Sequence, residues 1–295
     1  MRVTLTTAEI RRAVRAALAE DLGPGDATTL ATVPPDAASA ALMNAREPLT
    51  LAGIQFAEQA FREVAAHYAR RHGARGRLRF ARFARDGQRV RAGQKVFGVS
   101  GPSRVLLSAE RVALNFVQRL SGVATATAQF AGAIRGTRAK ILDTRKTTPG
   151  WRRFEKYAVA CGGGRNHRLG LYDLVLIKDN HLAALRGARP NAIAAAVARA
   201  RRGFPKLKIE VEADTLEQAG QAADAGADII LLDNMAPAQL RAAVKIIRRR
   251  ALTEASGGVN LRTVRAIART GVDFISVGAI THSARAVDLG LDFTG

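Results

Sequence analysis

Apolar and polar positions in the first third of the chain recur mostly with the period of amphipathic helices, interrupted by short alternating stretches. The opening residues MRVTLTTAEIRRAVRAALAE read as a cap followed by an amphipathic helix. A short apolar strand is expected around Ala40–Asn44. A helix is then expected over IQFAEQAFREVAAHYARR, where Phe56, Ala60 and Val64 recur at helical spacing. The segment LRFARFARDGQRVRAGQKVFGVSG alternates apolar and charged residues and is broken at Asp86-Gly87 and Ala92-Gly93, the pattern of strands joined by tight turns. It predicts a half-barrel hairpin of the biotinyl-carrier kind, though without a lysine at its turn to carry a swinging arm. From Ser108 a long helix follows, with Val112, Phe116 and Leu120 as its core stripe.

Beyond about Lys140 short apolar strands alternate with helical stretches, the pattern of a parallel α/β sheet or barrel. The ends of these strands are informative. KILDT runs into Arg145 and Lys146, DLVLI into Lys178 and Asp179, and KIEVE ends in Glu210 and Glu212. ADIILL ends in Asp233 and Asn234, RRALTEA in Ser256, Gly257 and Gly258, and VDFISV in Gly278 with His282 just beyond. In a barrel the carboxyl ends of parallel strands share one face, so these groups converge although they are far apart in sequence. Any single polar strand end is explained by a wet loop. Six in series, mixing cations, carboxylates and glycines, point to one site.

Composition narrows the picture. With 295 residues and 47% hydrophobic content the chain can bury one large or two moderate cores. Apolar runs such as Leu174–Ile177 and Ile229–Leu232 are far too short to span a bilayer, and the N-terminal stretch lacks an apolar core followed by a cleavage site, so the cytoplasm is expected. A single cysteine, Cys161, excludes an internal disulfide framework and a structural zinc site built on several thiols. The 46 Lys plus Arg against 25 Asp plus Glu leave a formal charge of +21, which suggests an anionic partner. The arginines are scattered and aromatics make up only 5%, so no stacking platform for bases is expected, and a solvated basic surface accounts for most of the surplus.

The densest chemistry lies between Leu142 and Leu182. Arg145, Lys146, His167, Arg168 and Lys178 can surround a small polyanion, arginine offering a planar fork and lysine a point charge. Arg152 and Arg153, after the Pro149-Gly150 turn, are expected to be solvated. GGGRNH is a permissive loop whose backbone amides can approach a ligand, but it lacks the spacing of a P-loop. Glu212 and Asp233, with Asp179 nearby in order, suit a magnesium ion held partly through retained waters, or stabilise positive charge on a sugar ring. They equally suit structural pairing with Lys146 and Lys178. ASGGVNL and VGAITHS place glycine-rich turns before helices, a natural phosphate pocket at the last two loops of a barrel.

Together these stretches resemble the quinolinate phosphoribosyltransferase (decarboxylating nicotinate-nucleotide pyrophosphorylase) family over nearly the whole chain. The resemblance is carried by EDLGPGDATT, SAERVALNFVQRLSGVATATAQF, the long DTRKTTPG to KDNH segment, IEVEADTLEQA, ILLDN, ASGG and GVDFISVGAITHSARAVDLGLDF. It implies an α/β fold: an N-terminal α/β sandwich domain over residues 1–115, an open, incomplete α/β barrel over 116–282, and residues 283–295 returning to the first domain. It implies transfer of a phosphoribosyl group to quinolinate in NAD biosynthesis, with Mg2+, in a homodimer in which Arg111 acts in trans. Arg111, Thr144, Arg145, His167, Arg168 and Lys178 are implied to bind quinolinate. Lys146, Glu212, Asp233, Ser256, Gly257, Gly258, Gly278 and His282 are implied to bind phosphoribosyl pyrophosphate, with Lys146, Lys178, Glu212 and Asp233 catalytic and Glu212 and Asp233 toward the metal. Trp151 and Phe154 in place of leucine, Thr253, and the segment REPLTLAG depart from the family pattern, which bears on local packing. The competing readings are a relative that uses nicotinate or another ring acid, a metal-operon paralogue of the same fold, and a non-catalytic polyanion binder. Nucleic acid and membrane are not expected partners, and assembly beyond a dimer is left open.

Overall fold

Thr6 accepts a hydrogen bond from the backbone N–H of Glu9 while the Glu9 carboxylate accepts from the N–H of Thr6, a capping box that starts helix α1 (Thr7–Leu22). Ile10, Val14 and Leu18 then fall on one face and are buried, as the apolar spacing requires. The computed structural model describes residues 3–72 and 76–294. The chain divides into two compact units, one made of Arg2–Ala126, Arg153–Gly163 and Ala284–Gly295, the other of Thr127–Arg152 and Gly164–Ser283.

In the first unit α1 is followed by α2 (Ala27–Thr32), β1 (Ala38–Ala45), β2 (Leu49–Thr50), α3 (Ile54–His72), β3 (Arg79–Arg82), β4 (Arg89–Val90), β5 (Lys95–Pro102) and the start of α4 (Ser103–Ala133). The expected half-barrel is not self-contained. Val96, Phe97, Gly98 and Val99 of β5 are all buried, which makes β5 a central strand: it pairs antiparallel with β3 on one side and with β1 on the other, while β4 pairs with β2. The long helix begins at Ser103, five residues before the expected start, because Val105 and Leu106 extend its buried stripe. Phe154, one of the departures from the family pattern, packs edge-on against Phe56 at 5.2 Å, and Phe56 stacks on Phe116 at 4.8 Å, so the larger side chain has a defined place in this core.

The remaining elements are β6 (Lys140–Leu142), α5 (Arg152–Cys161), β7 (Val175–Ile177), α6 (Asp179–Ala183), α7 (Ala192–Gly203), β8 (Ile209–Ala213), α8 (Leu216–Asp224), β9 (Ile229–Asp233), α9 (Pro237–Ile247), β10 (Leu252–Ser256), α10 (Val264–Ala268), β11 (Phe274–Ser276), α11 (Ala279–His282) and β12 (Leu289–Thr294). Strand β12 pairs antiparallel with β1 and completes the four-stranded sheet of the first unit. In the second unit all neighbouring strands are parallel, in the order β6-β11-β10-β9-β8-β7. Strands β7 to β11 follow one another around the sheet and β6 joins at the β11 end, which leaves β6 and β7 unpaired with each other: the barrel is open there. The segment after the triple glycine runs along the free edge of β6. Arg165 donates its N–H to Ile141 O at 2.8 Å and accepts from the N–H of Asp143 at 3.2 Å. Two-residue periodicity sends Ile230 and Leu232 of β9 to one face, where both are fully buried, and Ile229, Leu231 and Asp233 to the other.

Candidate active site

That second face borders a cavity of about 500 Å³ at the carboxyl ends of the strands. Thr144, Arg145 and Lys146 reach it from the turn after β6, His167 and Arg168 from the segment beside β6, and Lys178 from the end of β7. Glu212 on β8, Asp233 on β9, and Ser256, Gly257 and Gly258 at the end of β10 complete the set of expected residues that line it. Gly278 and His282 are not among its lining residues but sit beside Lys146: a Cβ built on Gly278 would lie 3.1 Å from the His282 ring and 3.2 Å from Lys146 Cδ. Asp179 begins α6, is exposed, and does not line the cavity. Arg111 lies on an exposed position of α4 in the other unit.

The cationic loops are braced by bonds that the sequence reading did not anticipate. Thr144 Oγ1 accepts the N–H of Lys146 at 3.0 Å, and the buried Thr281 hydroxyl donates to Lys146 O at 2.7 Å. Arg152 was expected in solvent. Its guanidinium instead donates to Thr147 Oγ1 and Leu169 O, both at 3.0 Å, and to Arg145 O at 3.4 Å, so it ties together the two loops that carry Arg145 and Arg168. Its planar fork can satisfy several carbonyls at once, and a surface role would waste that geometry. Arg153 is exposed but likewise committed, pairing with Glu9 and donating to Thr4 O at 3.0 Å.

Three further acids lie just beneath. Asp143 is fully buried and accepts from Asn166 Nδ2 at 2.7 Å and from the N–H of His167 at 2.8 Å, which fixes the segment that presents His167 and Arg168. Glu210 and Glu254 are also buried, and His167 Nε2 lies 3.0 Å from Glu210 Oε2 and 3.6 Å from Glu254 Oε2. Burial, reinforced by the neighbouring Glu210, pushes the Glu254 carboxyl up to about 8. Partial burial also lowers the proton affinity of Arg168, helped by Arg145 beside it and opposed by Glu210 and Asp173. A smaller cavity of about 240 Å³, deeper in the barrel, shares His167, Arg168 and Glu254 with the first. From sequence, Glu210 is expected among the strand-end groups that converge on the site, without a role of its own, and Asp143 and Glu254 are not singled out. Strand periodicity held the signal, since Glu210 stands two residues before Glu212 and Glu254 two before Ser256, on the same face.

The two cavity carboxylates have definite partners. Glu212 Oε2 forms an ion pair with Lys178 Nζ, one of the structural pairings expected. Asp233 does not pair with Lys146; its Oδ2 accepts from Asn234 Nδ2 at 2.6 Å. Asn234 adopts φ 51° and donates its N–H to Ser256 O at 2.9 Å, which locks the β9 and β10 ends together. Gly257, at φ 89°, packs so tightly here that a Cβ would collide with the Asn234 side chain. Two carboxylates in a cavity rich in cations form an oxygen donor set suited to a hard divalent ion bound through waters.

The chain matches the N-terminal domain of quinolinate phosphoribosyl transferase over residues 26–121 and the C-terminal domain over residues 123–292. It is 44% identical to a nicotinate-nucleotide pyrophosphorylase (carboxylating) of Mycobacterium leprae (strain TN) over 286 residues, 96% of each chain. It is 40% identical to a mitochondrial quinolinate phosphoribosyltransferase (decarboxylating) 2b of Nicotiana tabacum over 301 residues, 97% of this chain and 82% of that one. Among solved structures, the nicotinate-nucleotide pyrophosphorylase from Francisella tularensis superposes with a TM-score of 0.90 at 38% identity, covering 100% of this chain and 99% of the other.

Proposed function

Because this chain belongs to the quinolinate phosphoribosyltransferase family, we infer that it joins the ring nitrogen of quinolinate to phosphoribosyl pyrophosphate. Nicotinate mononucleotide, pyrophosphate and carbon dioxide are the products, and the step serves NAD biosynthesis. One observation carries the reading: a single cavity gathers Arg145, Lys146, Arg168 and Lys178 with Glu212 and Asp233. Two substrates that each bear several negative charges repel one another in water, and a cationic pocket removes that barrier while it orients them.

In this proposal Arg145, Arg168 and Lys178 bind the two carboxylates of quinolinate, with Thr144 and His167 at the same end. Lys146 stands between the substrates. Ser256, Gly257, Gly258, Gly278 and His282 surround the phosphates through backbone amides and short side chains. Glu212 and Asp233 meet the ribose and would hold Mg2+, which when bound supplies positive charge to the departing pyrophosphate. Glu212 exchanges its bond to Lys178 for these partners, and the freed ammonium is then available to a substrate carboxylate. The positive charge on the new pyridinium nitrogen stabilises the electron pair left on the neighbouring ring carbon as carbon dioxide departs. That carbon then takes a proton from water, so decarboxylation needs no protein nucleophile. A homodimer in which Arg111 completes the partner's site, and a cytoplasmic location consistent with a single cysteine, belong to the same proposal.

The decisive assay measures pyrophosphate and carbon dioxide release with magnesium, comparing quinolinate with nicotinate. Release of both products from quinolinate alone is expected. Turnover of nicotinate without carbon dioxide would replace this reading with that of a relative acting on a monocarboxylate, and binding of polyanions without any pyrophosphate would end the enzymatic reading.

A further inference from the structure

Glu210 and Glu254 pose a physical problem that substrate binding does not explain. Both are essentially excluded from solvent, and none of their four carboxyl oxygens accepts a hydrogen bond that satisfies normal geometry among the described residues. Two buried acids in this state cost several kcal/mol or more unless a partner compensates them. Glu254 has Ser276 and Glu210 beside it, and His167 Nε2 faces both acids, the three facing atoms lying within 4.8 Å of one another. Such a trio has the composition of a metal site. The other ring nitrogen decides against it: His167 Nδ1 accepts the backbone N–H of Arg168 at 2.7 Å. A metal-ligating histidine directs its second nitrogen at an acceptor, because that nitrogen carries the proton. Here it faces a donor, so Nδ1 holds a lone pair and the single ring proton resides on Nε2, toward the two carboxyls.

We propose that Glu210 and Glu254 are positioning residues that hold His167 as a neutral, Nε2-protonated imidazole, and that this imidazole fixes the backbone from which Arg168 enters the cavity. Both ring nitrogens are thereby committed inside the protein. At the quinolinate end of the cavity His167 thus braces the loop, and Arg145, Arg168 and Lys178 supply the charge that meets the pyridine carboxylates. Asp143 clamps the same segment from the other side at two points, through Asn166 and the N–H of His167, and the His167 ring in turn holds the N–H of Arg168. A charged imidazolium is incompatible with this arrangement, because it would set a second N–H against that of Arg168. The inference deepens the functional reading above and rests on it for the identity of the substrate.

The test has two arms. In the first, ring-15N-labelled histidine in the full-length protein, with the His167 signal assigned by its loss in His167→Gln, is read by NMR at neutral pH without substrates. An Nε2–H neutral tautomer is expected; an Nδ1–H tautomer or an imidazolium overturns the proposal. In the second, Glu210→Leu is expected to raise KM for quinolinate by roughly tenfold or more while KM for phosphoribosyl pyrophosphate stays within about twofold. Glu210→Gln, which keeps an acceptor toward Nε2, should return KM for quinolinate to within about threefold of the parent. Unchanged quinolinate KM in Glu210→Leu, or equal damage in both variants, counts against positioning. If the parent protein shows no quinolinate-dependent turnover, the substrate assignment fails, while the tautomer measurement still decides the proposal, as it does if Glu210→Leu does not fold.

Discussion

Confinement inside the sheet beside Glu210 holds the Glu254 carboxyl at about 8, against 4.5 for an ordinary glutamate. The folded protein therefore binds this proton more tightly than the unfolded chain does. The stability that Glu254 contributes is fully present below about pH 4.5 and is lost as pH rises through about 8. Glu254→Gln removes the titration with little change in shape. Between pH 6 and pH 9 its melting temperature, measured beside that of the parent, is expected to shift in the variant's favour by at least ~2 °C; a constant difference across that range would show that the carboxyl does not titrate there. Lys146 differs in kind, being exposed and held only through its backbone by Thr144 and Thr281. Lys146→Ala should leave the melting temperature within ~1 °C, as for most surface positions. Its turnover should fall by at least ~100-fold, the scale of losing one electrostatic contact to a developing charge. Near-parental turnover would remove Lys146 from the reaction.

At the level of elements, the site depends on how the ends of β9 and β10 are joined. The left-handed Asn234 and the positive-φ Gly257 fit together only because residue 257 lacks a Cβ. Gly257→Ala meets both a collision and backbone strain, and should destabilise the protein by ~1–3 kcal/mol in urea unfolding while raising KM for phosphoribosyl pyrophosphate. Parental values for both would mean that the loop relaxes freely. All six strand candidates that deliver site residues were legible in sequence, because parallel strands are short apolar runs with abrupt polar ends. The converging cations, Glu212, Asp233 and the β10 glycines were legible for the same reason. What escaped were partnerships: Arg152 bridging two loops, Asp143 clamping His167, and the pairing of β4 with β2 rather than with its sequence neighbours. Each joins residues from separate segments, and hydropathy period reports only which side a residue faces, not what waits there. Glu210 and Glu254 stood at inward positions by that same period. A carboxylate at a buried position is improbable on composition alone, so Glu210 is expected at its strand end without a role and Glu254 is not expected at all.

For the whole molecule, the formal charge of +21 greatly exceeds what one cavity requires, since four side-chain cations line the site among 46 Lys and Arg. The surplus acts at a distance, as a field that concentrates polyanionic substrates and weakens as salt screens it. A field cannot place a particular guanidinium, and this is where assembly enters the proposal. Arg111 is exposed on α4, and under the proposed homodimer it works in the partner's cavity. In that arrangement an Arg111→Ala subunit keeps its own Lys146, and a Lys146→Ala subunit still supplies an intact Arg111. Each variant alone should be nearly inactive. Mixed in equal amounts under conditions that allow exchange, they form heterodimers in which one of two sites has both groups, so about a quarter of parental activity should return. If each subunit used its own Arg111, mixing would restore nothing, because no subunit would carry both residues; the recovered rate therefore reports directly whether the arginine crosses between chains.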